Sequence, residues 1–179
     1  MKFNKMGRAC KGDKENRFLL ASKFNELLKN PLMCIGLNPS TADENDDDQT
    51  TKRIRKIAEN QKCDGWIMLN LYPKKSTDPE NLKNEEFNEE ISKKNIEIIR
   101  ENISKYKESP ILLCWGENAT MEVFKKAFKD IFWEIVCKKC FILDIVKNKM
   151  PKHPLGAKIE NFRELGDKDF MEIVRAFNK

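Results

Sequence analysis

Four apolar runs in this chain each lead into polar or aromatic side chains of the kind that recognise a flat, hydrogen-bonding ligand. The run at 32–37 passes through Gly36 into Asn38-Pro39-Ser40-Thr41. The run at 66–71 ends on Asn70 with Tyr72 behind it, the run at 111–115 on Trp115-Gly116-Glu117-Asn118, and the run at 141–146 precedes His153-Pro154. Pro39 fixes its own φ and biases Asn38 away from helix, so a side-chain amide is held on a stiff loop. Ser40 and Thr41 carry hydroxyls that could bind a ligand or cap the next helix. Trp115 could stack on a base or sugar, with Gly116 leaving room beside it, or simply fill the core above a tight turn. His153 is the one histidine of the sequence. Prolines on either side stiffen it, and imidazole is the side chain that changes charge near neutral pH.

An acidic stretch, Asp43-Glu44-Asn45-Asp46-Asp47-Asp48, follows the first of these loops. Read plainly, it is a solvated loop whose charge favours the N-terminus of a following helix. At Asp43 and Asp47 the sharper reading is water activation or substrate contact, and Mg²⁺ binding by Asp43, Asp47 and Asp48 is the alternative chemistry. Lysines at 74, 75, 147, 149 and 152 fall in loops expected at the same edge, where they would favour a phosphate-bearing partner. Six cysteines lie at 10, 34, 63, 114, 137 and 140. Cys34 and Cys114 sit inside apolar runs as small hydrophobes. The Cys137/Cys140 spacing of a metal or redox pair has no second pair to complete it, so reduced structural thiols are expected and no metal site.

The elements that must position these groups follow from pattern. Short apolar runs bounded by turn formers read as buried strands of a parallel sheet. Between them, helices are predicted at 50–61, where Ile54, Ile57 and Ala58 recur at helical spacing, and at 84–106, 118–128 and 167–177. An edge strand is predicted from Arg17. Strands alternating with helices argue for one α/β domain over 1–179, with both sheet faces covered. The loops leaving the strands then share one edge, where open α/β sheets hold ligands. Asn38, Asn70, Trp115 and His153 should therefore line one pocket.

Composition bounds the function classes. The chain has 179 residues, 34 basic against 29 acidic, a net charge of +5, and is 40% hydrophobic and 35% charged. That is enough chain for a sizeable core. No apolar run approaches the length of a membrane span, and no signal-peptide core opens the sequence, so a cytoplasmic protein without membrane contact, working as a monomer, is expected. Intermixed Lys and Glu permit a nucleic-acid partner without requiring one.

The ordered motifs Gly36-Leu-Asn-Pro-Ser-Thr-Ala-Asp43, Asp47-Asp-Gln-Thr50, Asn70-Leu-Tyr72 with Thr77-Asp-Pro79, Trp115-Gly116 and Pro151-Lys-His-Pro-Leu155 resemble a bacterial and phage family catalogued as domain of unknown function 1643. The resemblance spans residues 17 to 156. Gln49 stands where that family usually has proline. More remotely, the arrangement is similar to the uracil-DNA glycosylase superfamily. There Gly36-Leu-Asn-Pro39, Trp115-Gly-Glu-Asn-Ala119 and His153-Pro154-Leu155 resemble three motifs, although Leu155-Gly156 replaces a Ser-Pro-containing loop and the cysteine spacing does not match the iron–sulfur members. The resemblance implies a three-layer α/β/α sandwich with a short central parallel sheet. It also implies hydrolysis of an N-glycosidic bond, on a nucleobase in DNA or on a nucleotide, with no cofactor. In that reading Asn38, Asp43 and His153 are catalytic: Asn38 positions water, Asp43 assists, and His153 stabilises the departing base. Gly36, Pro39, Ser40, Thr41, Asp47, Asn70, Tyr72, Trp115 and Gly116 would hold substrate. A non-catalytic nucleotide- or nucleic-acid-binding module is the competing class, and a Mg²⁺-dependent hydrolase using the acidic loop is the third.

Overall fold

The computed structural model describes residues 1–178. Its strands are β1 (Arg8–Gly12), β2 (Arg17–Lys23), β3 (Leu32–Gly36), β4 (Gly65–Asn70), β5 (Ile111–Leu113), β6 (Cys140–Ile142) and β7 (Arg163–Glu164). The helices are α1 (Gln49–Asn60), α2 (Glu89–Lys105), α3 (Glu122–Ile135) and α4 (Asp167–Phe177). All seven strands form one sheet in the order β1-β2-β4-β3-β5-β6-β7. The four strands β4, β3, β5 and β6 run parallel. β1 and β2 add antiparallel strands at one side and β7 at the other.

The expected short parallel sheet is thus the centre of a wider, mixed one. β1 escapes the apolar-run criterion because only Arg8 and Ala9 of its five residues are buried, and both residues of β7 are exposed. β2, expected at the edge, lies inside β1 and is buried over nearly its whole length. The fourth strand ends at Ile142, earlier than the predicted 146, and Ile145 instead bridges to Pro151.

Period-two alternation sorts the core onto two faces. Met33, Ile35, Ile67, Leu69, Ile111 and Leu113 join the cluster that takes in α2, α3 and α4. Leu32, Cys34, Trp66, Met68, Leu112 and Cys114 join the cluster built on Ile54, Ile57 and Ala58 of α1. Each such fully buried aliphatic side chain contributes about 1.5–3 kcal/mol.

Asp48 caps α1, its carboxylate accepting the Thr51 N–H at 2.8 Å. α2 begins at Glu89 rather than 84, behind the cap Asn88. On its buried face the Asn95 amide donates to the Asn70 and Leu71 carbonyls at 2.9 and 3.2 Å, fastening the helix to the end of β4. The predicted helix at 118–128 divides into a 3₁₀ turn, Glu117–Thr120, and α3. α3 runs on to Ile135 because Phe124, Phe128, Ile131 and Ile135 continue the apolar stripe. α4 occupies the predicted residues. Among the described residues, no helix is long and apolar enough to cross a membrane.

Candidate functional site

The loop after β3 leads to α1 on one face of the sheet, and the loop after β5 leads to α3 on the other. Adjacent parallel strands whose connections depart to opposite faces leave a crevice between their carboxyl ends. A cavity of about 380 Å³ opens there, bordered by Gly36, Asn38, Asp48, Gly116 and His153. This inner lobe continues into an outer one of about 590 Å³, bordered by Thr41, Asp43 and Lys75. Arg17, Ser40, Ser76 and Thr77 border both lobes and so mark their junction.

Asn38 reaches the inner lobe from a loop it helps to hold. Its Nδ2 donates to the carbonyls of Pro39 at 3.1 Å and Ser76 at 2.9 Å, and Oδ1 has no protein partner among the described residues. Pro39 is itself buried and borders neither lobe; its carbonyl also accepts the Ser76 N–H at 2.9 Å, so its role is to join two loops. Gly36 is required by what crosses beside it. A Cβ there would lie 2.4 Å from Met68 Cε and 3.1 Å from Asn70 Oδ1. Asn70 shares the sheet face of Met68, which borders the lobe, but is itself fully buried. Neither its amide oxygen nor its amide nitrogen has a partner among the described residues.

Two expected ligand contacts are packed into the core, although Trp115 also borders the inner lobe. Trp115 is 1% exposed and meets Phe128 and Phe177 edge-on, both at 5.8 Å. Alternation along β5 sets it on the face of Ile111 and Leu113, so its ring fills the core rather than offering a stacking surface. Tyr72 is likewise in that core, stacked on Phe87, with its hydroxyl accepting the Asn88 N–H at 3.1 Å. Gly116 does the positioning at this strand end. Its φ of +80° and ψ of −176° lie in a region open essentially to glycine alone. Its N–H donates to the Pro151 carbonyl at 2.8 Å, and a Cβ would lie 3.3 Å from His153 Cβ.

The acidic loop does not act as a cluster. Asp43 Oδ1 accepts the N–H groups of Asn45 and Asp46 at 2.7 and 3.0 Å, bonds that hold its carboxyl below the usual range. It faces the outer lobe, apart from Asn38 and His153. Asp47 pairs with Arg8 at 2.6 Å and borders neither lobe. Asp48 is the loop's carboxylate in the inner lobe. Asp48 therefore takes the place expected for Asp43, and the three aspartates share no common ligand position. Among the described residues no group of three or more His, Cys, Asp or Glu could hold a metal ion. Burial pushes the Cys140 thiol up to about 12, whereas Cys137, three residues earlier, is exposed.

His153 Nδ1 accepts the Leu155 N–H at 3.4 Å, which leaves Nε2–H as the donor of the neutral ring. Burial lowers its pKa below the ordinary 6.5, and the Asp48 charge partly opposes this. The folded state thus binds a proton less readily than the unfolded chain. This contribution costs nothing above pH about 6.5 and reduces stability as pH falls from there through the folded pKa. With a single histidine, an NMR titration of the imidazole is unambiguous. Its midpoint should lie below 6.5 and fall further in Asp48→Asn; a midpoint at or above 6.5 would contradict this environment.

Sequence reasoning missed Arg17, which opens an otherwise apolar strand and is only 3% exposed. An arginine heading a buried run was the available signal, since such a charge needs a specific partner. The lysines expected to draw in phosphate are mostly engaged locally. Lys74 pairs with Glu15 and Glu85, Lys149 with Glu172 and Lys152 with Asp144, while Lys75 donates to the Asp13 carbonyl.

A mixed α/β sheet with a polar two-lobed cleft at its parallel strand ends defines the class. Within that class, the chain belongs to the family described as "Protein of unknown function (DUF1643)", whose model matches residues 17–155. Every residue bordering the inner lobe, from Arg17 to Leu155, falls inside that match. Searches of the curated proteins and of the solved structures found no match.

Proposed function

We propose that this protein hydrolyses the N-glycosidic bond of a nucleobase, in DNA or in a free nucleotide, on an α/β/α frame like that of the uracil-DNA glycosylase superfamily. The observation that carries the reading is the convergence of Asn38, Asp48 and a neutral His153 on one lobe of about 380 Å³, within the range of small-ligand sites. Glycosidic cleavage builds positive charge on the sugar and negative charge on the base. Asn38 Oδ1 accepts a hydrogen bond from the attacking water, and Asp48 takes the proton that water gives up. The water oxygen bonds to the anomeric carbon as the bond to the base breaks, its electron pair leaving with the base. His153 Nε2–H donates to the base as that charge develops. A base in duplex DNA must first be extruded. Because the Trp115 ring is turned into the core, base recognition falls to hydrogen bonds rather than to stacking on that side chain. The protein is proposed to work as a cytoplasmic monomer.

The test is base release from DNA containing uracil, hypoxanthine or modified bases, and from free nucleotides. Release from at least one of these is expected, and release from none removes the reading. One observation favours a binding module instead: Asp43, Asp47 and Asp48 each already have a structural task, in a turn, an ion pair and a helix cap respectively. Tight nucleotide binding without turnover would select that second reading.

A further inference from the structure

Two arginines on neighbouring strands are buried to similar depth, Arg8 at 7% and Arg17 at 3% exposure, and only one is neutralised. Arg8 pairs with Asp47 at 2.6 Å and donates to the Asp43 carbonyl. Arg17 donates to the Ala42 carbonyl and has no carboxylate in contact, and its Nε, like that of Arg8, is buried without a partner among the described residues. Asp43 and Asp48 act on it only through space. A buried cation lacking a contact counter-ion is costly, and a ligand anion would remove that cost.

The surroundings suit an oxyanion. Ser40 and Thr77 border both lobes beside Arg17, and their hydroxyls have no partner among the described residues. Ser76 is not available as a donor, because its hydroxyl is spent on the Asp78 carbonyl at 2.6 Å. The nearby carboxylates of Asp13 and Asp43 are each turned onto the backbone N–H groups of their own turns. A planar forked cation beside two free hydroxyls is the donor set that phosphate oxygens take.

We infer that the Arg17, Ser40 and Thr77 junction is a phosphate subsite, so that the substrate is a phosphorylated nucleoside rather than a bare one. The inference deepens the proposed function and rests on it for the nucleoside in the inner lobe. The phosphate sits where the lobes meet, and the outer lobe gives a continuing strand room to pass.

The full chain is titrated calorimetrically with deoxyuridine, with its 5′-monophosphate and with a short single-stranded oligodeoxynucleotide, inorganic phosphate serving as competitor. Both phosphorylated probes should bind about tenfold or more tighter than the nucleoside, and phosphate should compete. Arg17→Gln should abolish that preference, and the double variant Ser40→Ala/Thr77→Val should narrow it severalfold. Preference for the oligonucleotide assigns a diester, and preference for the monophosphate a terminal monoester. Equal affinity for nucleoside and nucleotide, or no binding of any phosphorylated probe, overturns the subsite. So does a preference that survives Arg17→Gln or, if that variant does not fold, one unchanged in the double variant. Phosphate preference without base release would remove the glycosidic chemistry alone. Release from deoxyuridine as fast as from its monophosphate would remove the subsite alone.

Discussion

Asparagine at position 48 should silence base release, by a factor of about 10²–10⁴, with no loss of fold. The two effects separate because Asp48 has two roles. As the cap of α1 it needs only an oxygen to accept the Thr51 N–H, and asparagine caps as well as aspartate. As the acidic loop's carboxylate in the inner lobe it must take a proton from water, which an amide cannot do. Asp43→Asn is the matched control in the outer lobe. Its side-chain oxygen can still close the turn, so turnover should stay within a factor of about two. Steady-state base release for both variants, beside their thermal unfolding, decides the matter. Full activity in Asp48→Asn would move the general base elsewhere, and loss confined to Asp43→Asn would restore the outer carboxylate.

Removing the Trp115 side chain should cost about 3–5 kcal/mol of stability, the scale for truncating a large buried aromatic. The ring meets Phe128 and Phe177, which themselves stack at 3.8 Å, so Trp115→Ala opens a void where α3 and α4 join the sheet. Trp115→Phe keeps part of that packing and should lose less. Urea unfolding of the two variants measures the difference. A Trp115→Ala protein with native stability but weakened nucleotide binding would show that the ring serves the ligand instead.

The same residue explains what sequence could and could not convey. The parallel strands were legible because buried strands are continuous apolar runs, and α4 because Ile173 and Phe177 lie at helical spacing on its buried face. Asn38 and His153 were legible as one site because strand order fixes which loops share an edge. Alternation along β5 already paired Trp115 with Ile111 and Leu113, but only the position of α1 reveals which face carries the cleft. Within Asp43 to Asp48, composition cannot say which carboxylate faces inward; that depends on which one caps α1. Arg17 was legible only as a charge heading a buried strand. Its meaning lies in the absence of a contact counter-ion, which no sequence displays.

The two arginines also tie the acidic loop to the margin of the sheet. Arg8 on β1 and Arg17 on β2 hold the loop that carries Asp43, Asp47 and Asp48, through Asp47, the Asp43 carbonyl and the Ala42 carbonyl. β1 has a neighbour on one side only. When that outer strand frays, its grip on the loop goes with it, so amide protons of the loop should exchange with solvent at the pace of β1 rather than of the central strands. Access to the cleft would then be timed by breathing at the margin of the sheet, while the histidine wall, tied through Gly116 to β5, keeps still.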